Sequence, residues 1–388
     1  MSFIESLRLH HFRSYEQARL ENLPPGFVVL YGANGAGKTN ILEAVSLLSP
    51  GRGLRGARMR DIQRNEEPSE NWAVSALIKD AHGIEVRLGT GAAAQSEKRV
   101  IRINGETAKN QAALADYLAC VWLTPQMDRL FLESSRERRK FLDRLVFAFD
   151  PGHSGRSTRY ENAMRQRSKL LSEGKGEPAW LASLESQMAE TGTAIAAARL
   201  EFTNRLQAAC KNAAQDHFPR AELTVKGTLE SLLETMPALE VEDFFKNRLA
   251  DSRGVDMLTG GAAVGPHKSD LDVLYAAKNM QADQCSTGEQ KALLIGIVLA
   301  HARLITAERG HPPVLLLDEV AAHLDEKRRA ALYEALEKLG GQVWLTGTDR
   351  SLFEAAQGKG SFFEIRDGEA VRNLRYLGLE SSCLTNRA

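Results

Sequence analysis

Residues 32–39 read Gly32-Ala33-Asn34-Gly35-Ala36-Gly37-Lys38-Thr39 and fit the pattern G-x-x-x-x-G-K-[ST]. Glycine lets backbone N–H groups turn towards phosphate oxygens without a Cβ clash, and Lys38 and Thr39 add a cation and a hydroxyl. The preceding run, Phe27-Val28-Val29-Leu30-Tyr31, is typical of a strand buried on both faces, and a helix is expected from about 38 to 48. A strand, a glycine-rich turn and a helix in this order predict a phosphate-binding loop with its anion at the positive end of the helix.

A second segment, Val314-Leu315-Leu316-Leu317-Asp318-Glu319, ends an apolar run in two carboxylates. Ligands of α/β proteins bind at the carboxyl ends of parallel strands. We therefore expect Asp318 to hold Mg²⁺ with Thr39, and Glu319 to orient or deprotonate an attacking water. A run ending in Asp-Glu is a weak signal alone, but together with the phosphate-binding loop it predicts an ATPase site.

A third segment, Ser286-Thr287-Gly288-Glu289-Gln290-Lys291, opens a predicted apolar helix. A Ser–Gly pair at a helix N-terminus is an anion cradle. It is redundant if Lys38 already holds the nucleotide, so we expect it to cover the γ-phosphate bound to a second subunit. The alternative is a simple capping box between Ser286 and Glu289.

Outside these motifs the character of the chain changes twice. The N-terminal third includes three strand-like runs that predict a small antiparallel lobe, at 72–78, 84–88 and 99–103. A largely helical middle follows, and the last third returns to α/β. We therefore predict an α/β head made of residues 1–125 and 265–388, with a helical arm domain inserted at 126–264.

A heptad-like stripe marks the longest predicted helix, which runs from 179 to 216. At 1.5 Å per residue this helix would be about 57 Å long. We interpret it as a projecting arm, and the alternative is an ordinary packed helical subdomain. The stripe consists of Leu181, Leu184, Met188, Ile195, Phe202, Leu206 and Ala209.

Composition excludes several classes of protein. A chain with 43% hydrophobic and 26% charged residues is not mostly disordered. The longest apolar run, Ala292 to Ala300, is about half of what a bilayer span needs, and residues 1–5 do not resemble a signal peptide. Four dispersed cysteines argue against a zinc site or disulfide framework and favour the cytoplasm: Cys120, Cys210, Cys285 and Cys383.

Charge is segregated although the net charge is zero. Residues 51–64, 134–144 and 156–169 together hold 15 bases and 4 acids. The first window follows the helix behind the phosphate-binding loop, so a bound nucleotide can set its position. It is therefore our first choice for DNA contact. Its members are Arg52, Arg55, Arg58, Arg60 and Arg64. The alternative for each cluster is a solvated helix face.

The three motifs, with Ala322-His323-Leu324-Asp325 behind the second, resemble an ABC-type ATPase. The 280 positions from Lys38 to Asp318 are too many for a transporter subunit and too few for a chromosome-condensing protein. Residues 9–15 and 43–45 are similar to the RecF, RecN, Rad50 and SMC group. Within that group, residues 138–143, residues 264–271 and the total length resemble the RecF family.

This resemblance implies an ABC-type P-loop ATPase head and an ATP-dependent homodimer. It implies binding to duplex DNA near single-strand/double-strand junctions at gaps, and cooperation with RecO and RecR to help load RecA. The implied ATPase is slow and DNA-stimulated and acts as a timer, with ATP and Mg²⁺ as cofactors. No membrane partner is expected.

The resemblance also assigns residues. The ATP-binding set is Gly32, Ala33, Asn34, Gly35, Ala36, Gly37, Lys38, Thr39, Asn40 and Arg13. The signature acting from the other subunit is Ser286, Thr287, Gly288, Glu289 and Gln290, and Asp325 is the D-loop aspartate. The catalytic set is Glu319, Asp318 and Lys38, and the Mg²⁺ set is Thr39, Asp318 and Gln126.

One departure from the ABC pattern concerns the last predicted core strand. Thr346-Gly347-Thr348-Asp349 stands where a histidine is expected. This puts the usual γ-phosphate contact in doubt and fits weak hydrolysis. A function from another class stays open, namely an ATP-gated scaffold protein without direct DNA binding.

Overall fold

The computed structural model describes residues 2–372 apart from 65–70, 81, 95, 97, 175, 213–217 and 367–368, with the backbone alone at Asn212 and His323. The strands are β1 Phe3–Phe12, β2 Tyr15–Leu20, β3 Phe27–Tyr31, β4 Trp72–Lys79, β5 Glu85–Ala92, β6 Val100–Ile103, β7 Glu106–Thr107, β8 Cys120–Leu123, β9 Ala221–Lys226, β10 Asp270–Tyr275, β11 Met280–Gln281, β12 Val314–Leu317, β13 Val343–Gly347, β14 Gly360–Arg366 and β15 Glu369–Arg372. The helices are α1 Lys38–Ser46, α2 Met59–Ile62, α3 Ser135–Val146, α4 His153–Ser172, α5 Pro178–Asn212, α6 Thr228–Leu233, α7 Ala238–Asp251, α8 Arg253–Thr259, α9 Thr287–Arg309 and α10 Glu326–Leu339.

The chain divides into two compact units, Met1–Met127 with Ala302–Ala388, and Asp128–His301. The first unit contains two sheets. One is antiparallel in the order β2-β1-β4-β5-β6-β7, and the other has the order β15-β14-β3-β13-β12-β8, parallel except at β15. Both sheets contribute to one apolar core, in which Ile41 of α1 lies with Trp72 of β4 and Trp344 of β13.

The parallel register brings the carboxyl ends of four strands to one edge. Leu317 pairs with both Leu123 and Leu345, and Tyr31 pairs with Gly347. The residues after β3, β8, β12 and β13 therefore meet at this edge, where α/β proteins bind ligands. Strands β3, β12 and β13 are buried throughout, because their continuous apolar runs face packed layers on both sides.

The second unit is a packed helical unit with a small sheet. Six of the seven stripe residues on α5 are buried and Ala209 is half-buried. Four of them pack in a core with Tyr160 of α4 and Phe245 of α7, namely Leu181, Leu184, Met188 and Ile195. The helix spans 35 residues without interruption, and is therefore about 52 Å long. Strand β9 pairs with β10 in this unit. Strand β9 lies in the middle region of the chain, for which the sequence predicted mainly helices. The end of the predicted helix, at 213–216, lies outside the described residues.

Several predicted elements are confirmed closely, and others were missed. The strand at 27–31 has the predicted limits, and the runs predicted at 72–78 and 99–103 lie within one residue of the limits of β4 and β6. The predicted antiparallel lobe contained too few strands, because β1 and β2 also belong to this sheet. The domain limits 125/126 and 264/265 stay a prediction.

Helix α9 could span a membrane by length and composition alone. However, 72% of its apolar window is buried inside the structure. Such burial is typical of a core helix rather than a lipid-facing one.

Candidate nucleotide-binding and hydrolysis site

The loop between β3 and α1 has the tight backbone that the glycine pattern predicts. Gly32 has φ 148°, and a Cβ there would lie 2.4 Å from the carbonyl oxygen of Ile365. Gly37 has φ 107°, and a Cβ there would lie 2.6 Å from the Tyr15 hydroxyl. Any side chain at either position would therefore displace the loop. The loop tip, Ala33 to Gly35, is exposed, so its peptide groups are accessible to an anion.

Lys38 begins α1 and turns back over the loop. Its Nζ donates to the carbonyl oxygens of Gly32 at 2.7 Å and Ala33 at 2.8 Å. Burial lowers the pKa of Lys38, and the carboxylates of Glu319 and Asp318 oppose this shift. The ammonium group thus lies where a phosphate above the loop would meet it together with the positive end of α1.

Thr39 and Asp318 contact each other although 279 positions separate them in sequence. The Thr39 hydroxyl lies 2.9 Å from Asp318 Oδ1 and 3.0 Å from Oδ2. Burial raises the pKa of Asp318, while hydrogen bonds from Thr346 and Thr39 lower it. The predicted pair of Mg²⁺ ligands is thereby brought together.

The donor set fits Mg²⁺. This ion prefers oxygen ligands and usually binds through one or two carboxylates together with waters and substrate phosphates. A hydroxyl and a carboxylate in contact supply such oxygens. No group of three or more His, Cys, Asp or Glu side chains suited to a metal occurs in the described part of the chain. Gln126 is exposed three residues after β8, at the same edge of the sheet, but no hydrogen bond joins it to Thr39 or Asp318 in the described structure.

Glu319 follows Asp318 in an unusual backbone conformation, with φ 53° and ψ 20°. It is half-buried. Its N–H donates to the Thr346 hydroxyl at 2.9 Å, and that hydroxyl donates to Asp318 Oδ1 at 2.7 Å. Thr346 was not among the predicted site residues. The only sequence signal was its place in the segment that replaces the expected histidine.

The predicted ATP-binding residue Arg13 is held by a carboxylate that sequence reasoning also missed. Glu43 on α1 is buried and accepts from Arg13 Nε at 2.9 Å and Nη2 at 2.7 Å. Arg55, predicted to contact DNA, donates to the same carboxylate at 3.0 Å and to Asn40 Oδ1 at 2.8 Å. Asn40 and Arg13 thus belong to one polar network beside the loop, which also ties the 51–64 segment to α1.

The other arginines of this segment differ in exposure. Arg64 is 19% exposed and pairs with Glu16 at 3.3 Å. Arg60 is exposed and lies 3.8 Å from Asp61. Arg52 and Arg58 are exposed. The structure therefore leaves Arg52, Arg58 and Arg60 as the more accessible candidates for an anionic partner.

The signature segment forms the start of α9 in the second unit. The Ser286 hydroxyl and N–H donate to Glu289 Oε2 at 2.8 and 2.9 Å, which is a capping-box arrangement. Hydrogen bonds from Lys278 and Ser286 lower the pKa of Glu289 to about 2. Gln290 is buried and donates to the Cys285 carbonyl at 3.0 Å. Ser286, Thr287 and Gly288 are exposed, so the capping box leaves this turn open to an outside partner.

Asp325 caps α10. Its side chain accepts from the Arg328 N–H at 2.8 Å, and 59% of it is exposed. Its second oxygen lies 3.7 Å from Arg328 Nε, so the carboxylate is engaged within its own helix and also accessible at the surface.

Comparisons with known proteins identify the family of the whole chain. The family model described as "RecF/RecN/SMC N terminal domain" matches residues 3–369. Two relatives called "DNA replication and repair protein RecF" are each 48% identical. The one from Rhizobium rhizogenes matches over 96% of this chain and 99% of its own length, and the one from Mesorhizobium japonicum over 94% and 96%.

Solved structures give the same result. The recombination mediator protein RecF-ATP in the RecFOR pathway has a TM-score of 0.83 at 26% identity, covering 96% of this chain and 98% of that one. The Smc head domain of Pyrococcus furiosus has a TM-score of 0.53 at 18% identity, with 96% of each chain covered, which supports the ABC-type fold alone. The chain therefore belongs to the RecF family within the RecF/RecN/SMC group of ABC-type ATPases.

Proposed function

We propose that this chain is an ATP-dependent DNA-binding protein of recombinational repair and replication, with slow, DNA-stimulated ATP hydrolysis. The observation that carries the proposal is the contact of Thr39 with Asp318, next to Glu319, at the carboxyl edge of the parallel sheet. The relatives named DNA replication and repair protein RecF support the same role.

Each residue of the site has a part in binding or hydrolysis. The loop N–H groups and Lys38 bind the β and γ phosphates, and Thr39 and Asp318 supply oxygens to Mg²⁺. Mg²⁺, when bound, neutralises the charge that develops on the transferred phosphoryl group. Glu319 orients the attacking water and accepts its proton. Arg13 donates to Glu43, and Arg55 donates to both Glu43 and Asn40, so this network stabilises α1 directly behind the loop.

ATP joins two copies of the chain. The exposed turn from Ser286 to Gly288 covers the γ-phosphate bound to Lys38 of another copy, with Asp325 near the same interface. Two nucleotides therefore bridge a homodimer, which closes on DNA as a clamp. Hydrolysis removes the bridge and opens it.

DNA binding uses the exposed arginines at 52, 58 and 60, and its affinity is salt-dependent and largely independent of sequence. The preferred DNA is duplex near a single-strand/double-strand junction at a gap. RecO and RecR are the partners, with RecA loaded as the outcome, in the cytoplasm. The pathway named for the solved RecF-ATP structure supports this assignment.

A gel shift on gapped duplex DNA tests the proposal. The Glu319→Gln variant with ATP should bind the gapped duplex, while the same variant with ADP should bind much more weakly. Lys38→Ala is the control for the nucleotide requirement. If ATP drives assembly of the protein but no DNA is retained at low salt, the scaffold function is correct instead. One observation favours that alternative, because Arg55 and Arg64 already form ion pairs within the chain.

A further inference from the structure

Thr346 connects the two carboxylate residues of the site. It follows Leu345, which pairs with Leu317 in the parallel register of β13 and β12. This register sets Thr346 beside Asp318. The Thr346 hydroxyl donates to Asp318 Oδ1 at 2.7 Å and accepts from the Glu319 N–H at 2.9 Å.

The direction of both hydrogen bonds is fixed. A backbone N–H can only donate, so the Thr346 oxygen must accept from Glu319, and its single proton is left for Asp318. Thr346 is 1% exposed, so solvent has no access to replace either bond. One hydroxyl therefore determines the orientation of a side chain and of the next peptide plane.

The Glu319 backbone needs such support. Its φ of 53° lies in the left-handed region, which residues other than glycine rarely adopt. The hydrogen bond to Thr346 holds the N–H of this residue, and the backbone conformation sets the direction in which its Cβ leaves the chain. The orientation of the Glu319 side chain thus depends on Thr346.

We propose that Thr346 is a positioning residue for ATP hydrolysis. It holds Asp318 in contact with Thr39 and fixes the turn from which Glu319 reaches the attacking water. The inference rests on the proposed function, since it requires Glu319 to act on water. Thr346 does not replace the missing histidine at the γ-phosphate, because it is buried and its hydroxyl already makes both bonds.

The test compares Thr346→Val with Thr346→Ser, because valine keeps the shape and serine keeps the hydroxyl. Thr90→Val is the matched control. Thr90 is also buried in the first unit, and its hydroxyl also makes two bonds, donating to the Val100 carbonyl at 3.2 Å and accepting from Arg99 Nε at 2.7 Å. It lies on β5, in the antiparallel sheet.

Three quantities are measured: the single-turnover hydrolysis rate, ATP affinity in EDTA and the Mg²⁺ concentration at half-maximal nucleotide binding. Thr346→Val should lower the hydrolysis rate by about 10- to 100-fold and raise the Mg²⁺ midpoint. Its ATP affinity in EDTA should stay within about twofold of wild type, and Thr346→Ser should recover most of the rate. Thr90→Val should lower the melting temperature and keep the rate.

Equal rates for wild type and Thr346→Val would overturn the inference, as would a serine variant as slow as the valine variant. If Thr346→Val does not fold, Thr346→Cys takes its place, because cysteine is of similar size but a weaker hydrogen-bond donor. An undiminished hydrolysis rate in Thr346→Cys would equally overturn the inference. Absence of hydrolysis by the wild-type protein would instead refute the proposed ATPase function and the inference with it.

Discussion

Replacing Asp318 by Asn should have opposite effects on the nucleotide-free protein and on MgATP binding. The Asn carbonyl oxygen can still accept from Thr39 and Thr346, both of which contact Asp318 Oδ1. The new amide would lie near the Thr39 oxygen, where it can donate. The substitution therefore removes a charge while the amide oxygen and one of the two amide N–H donors keep hydrogen-bond partners.

The effect on stability follows from the pKa of Asp318, which burial raises. A carboxyl group with a raised folded-state pKa costs stability at neutral pH, and this cost disappears as the pH falls through the folded-state pKa. Asp318→Asn removes the cost. The nucleotide-free variant should therefore melt at the same temperature as wild type or higher at pH 7.

The effect on MgATP has the opposite sign, because the metal loses its charged ligand. We expect a loss of affinity of about 10- to 100-fold, which is about 1.4 to 2.8 kcal/mol. At about 1.2 °C per kcal/mol for a chain of 388 residues, the MgATP-induced rise in melting temperature should shrink by about 2 to 3 °C.

Thermal melts with ATP in Mg²⁺ and in EDTA provide the assay. The EDTA arm is the control, because binding there depends on the loop and Lys38 and should not weaken. An undiminished MgATP shift would show that Asp318 does not hold the metal. A nucleotide-free variant that melts several degrees lower would refute the reasoning about burial.

Two other predictions concern His267 and the exposed arginines. His267 accepts from the Tyr160 hydroxyl, and burial lowers its pKa from 6.5 to about 4. Its neutral form is therefore favoured in the fold, so stability should fall by about 2 kcal/mol between pH 7 and pH 5. Urea unfolding of His267→Gln should lack that part of the pH dependence, and an identical slope in both proteins would contradict the assignment. Charge reversal of Arg52 and Arg58 together should weaken ATP-dependent DNA binding about tenfold or more and flatten its salt dependence. Arg366→Glu changes another exposed arginine and should leave DNA binding unchanged. Equal losses of DNA affinity in both variants would show that the 51–64 segment has no specific role in DNA binding.

The parts of the site that the sequence predicts are those encoded by local pattern. Glycine spacing predicts the loop, and the continuous apolar runs predict β3 and β12. The order of the motifs along the chain then brings Thr39 and Asp318 to one edge of a parallel sheet. Strand β9 carried an alternating pattern at 221–226, but it lay among helical segments and was therefore missed.

Other parts of the site depend on long-range register and could not be predicted. Thr346 meets Asp318 only because β12 and β13 pair with Leu317 opposite Leu345. The buried Glu43 is stabilised by Arg13, 30 positions away, and by Arg55 from a loop. The sequence around Glu43 indicates neither partner, because Arg13 comes from the turn between β1 and β2 and Arg55 from the loop between α1 and α2.

Sedimentation tests most directly whether ATP bridges two copies of the chain. Glu319→Gln should sediment as a dimer in saturating MgATP and as a smaller species in ADP. Adding Ser286→Arg should abolish the ATP-dependent dimer while leaving ATP binding intact, because Lys38 lies in the other compact unit. Ser286→Ala controls for loss of the helix cap. A Glu319→Gln protein that stays monomeric in ATP, or a Ser286→Arg variant that still dimerises, would contradict the bridging role of the nucleotide.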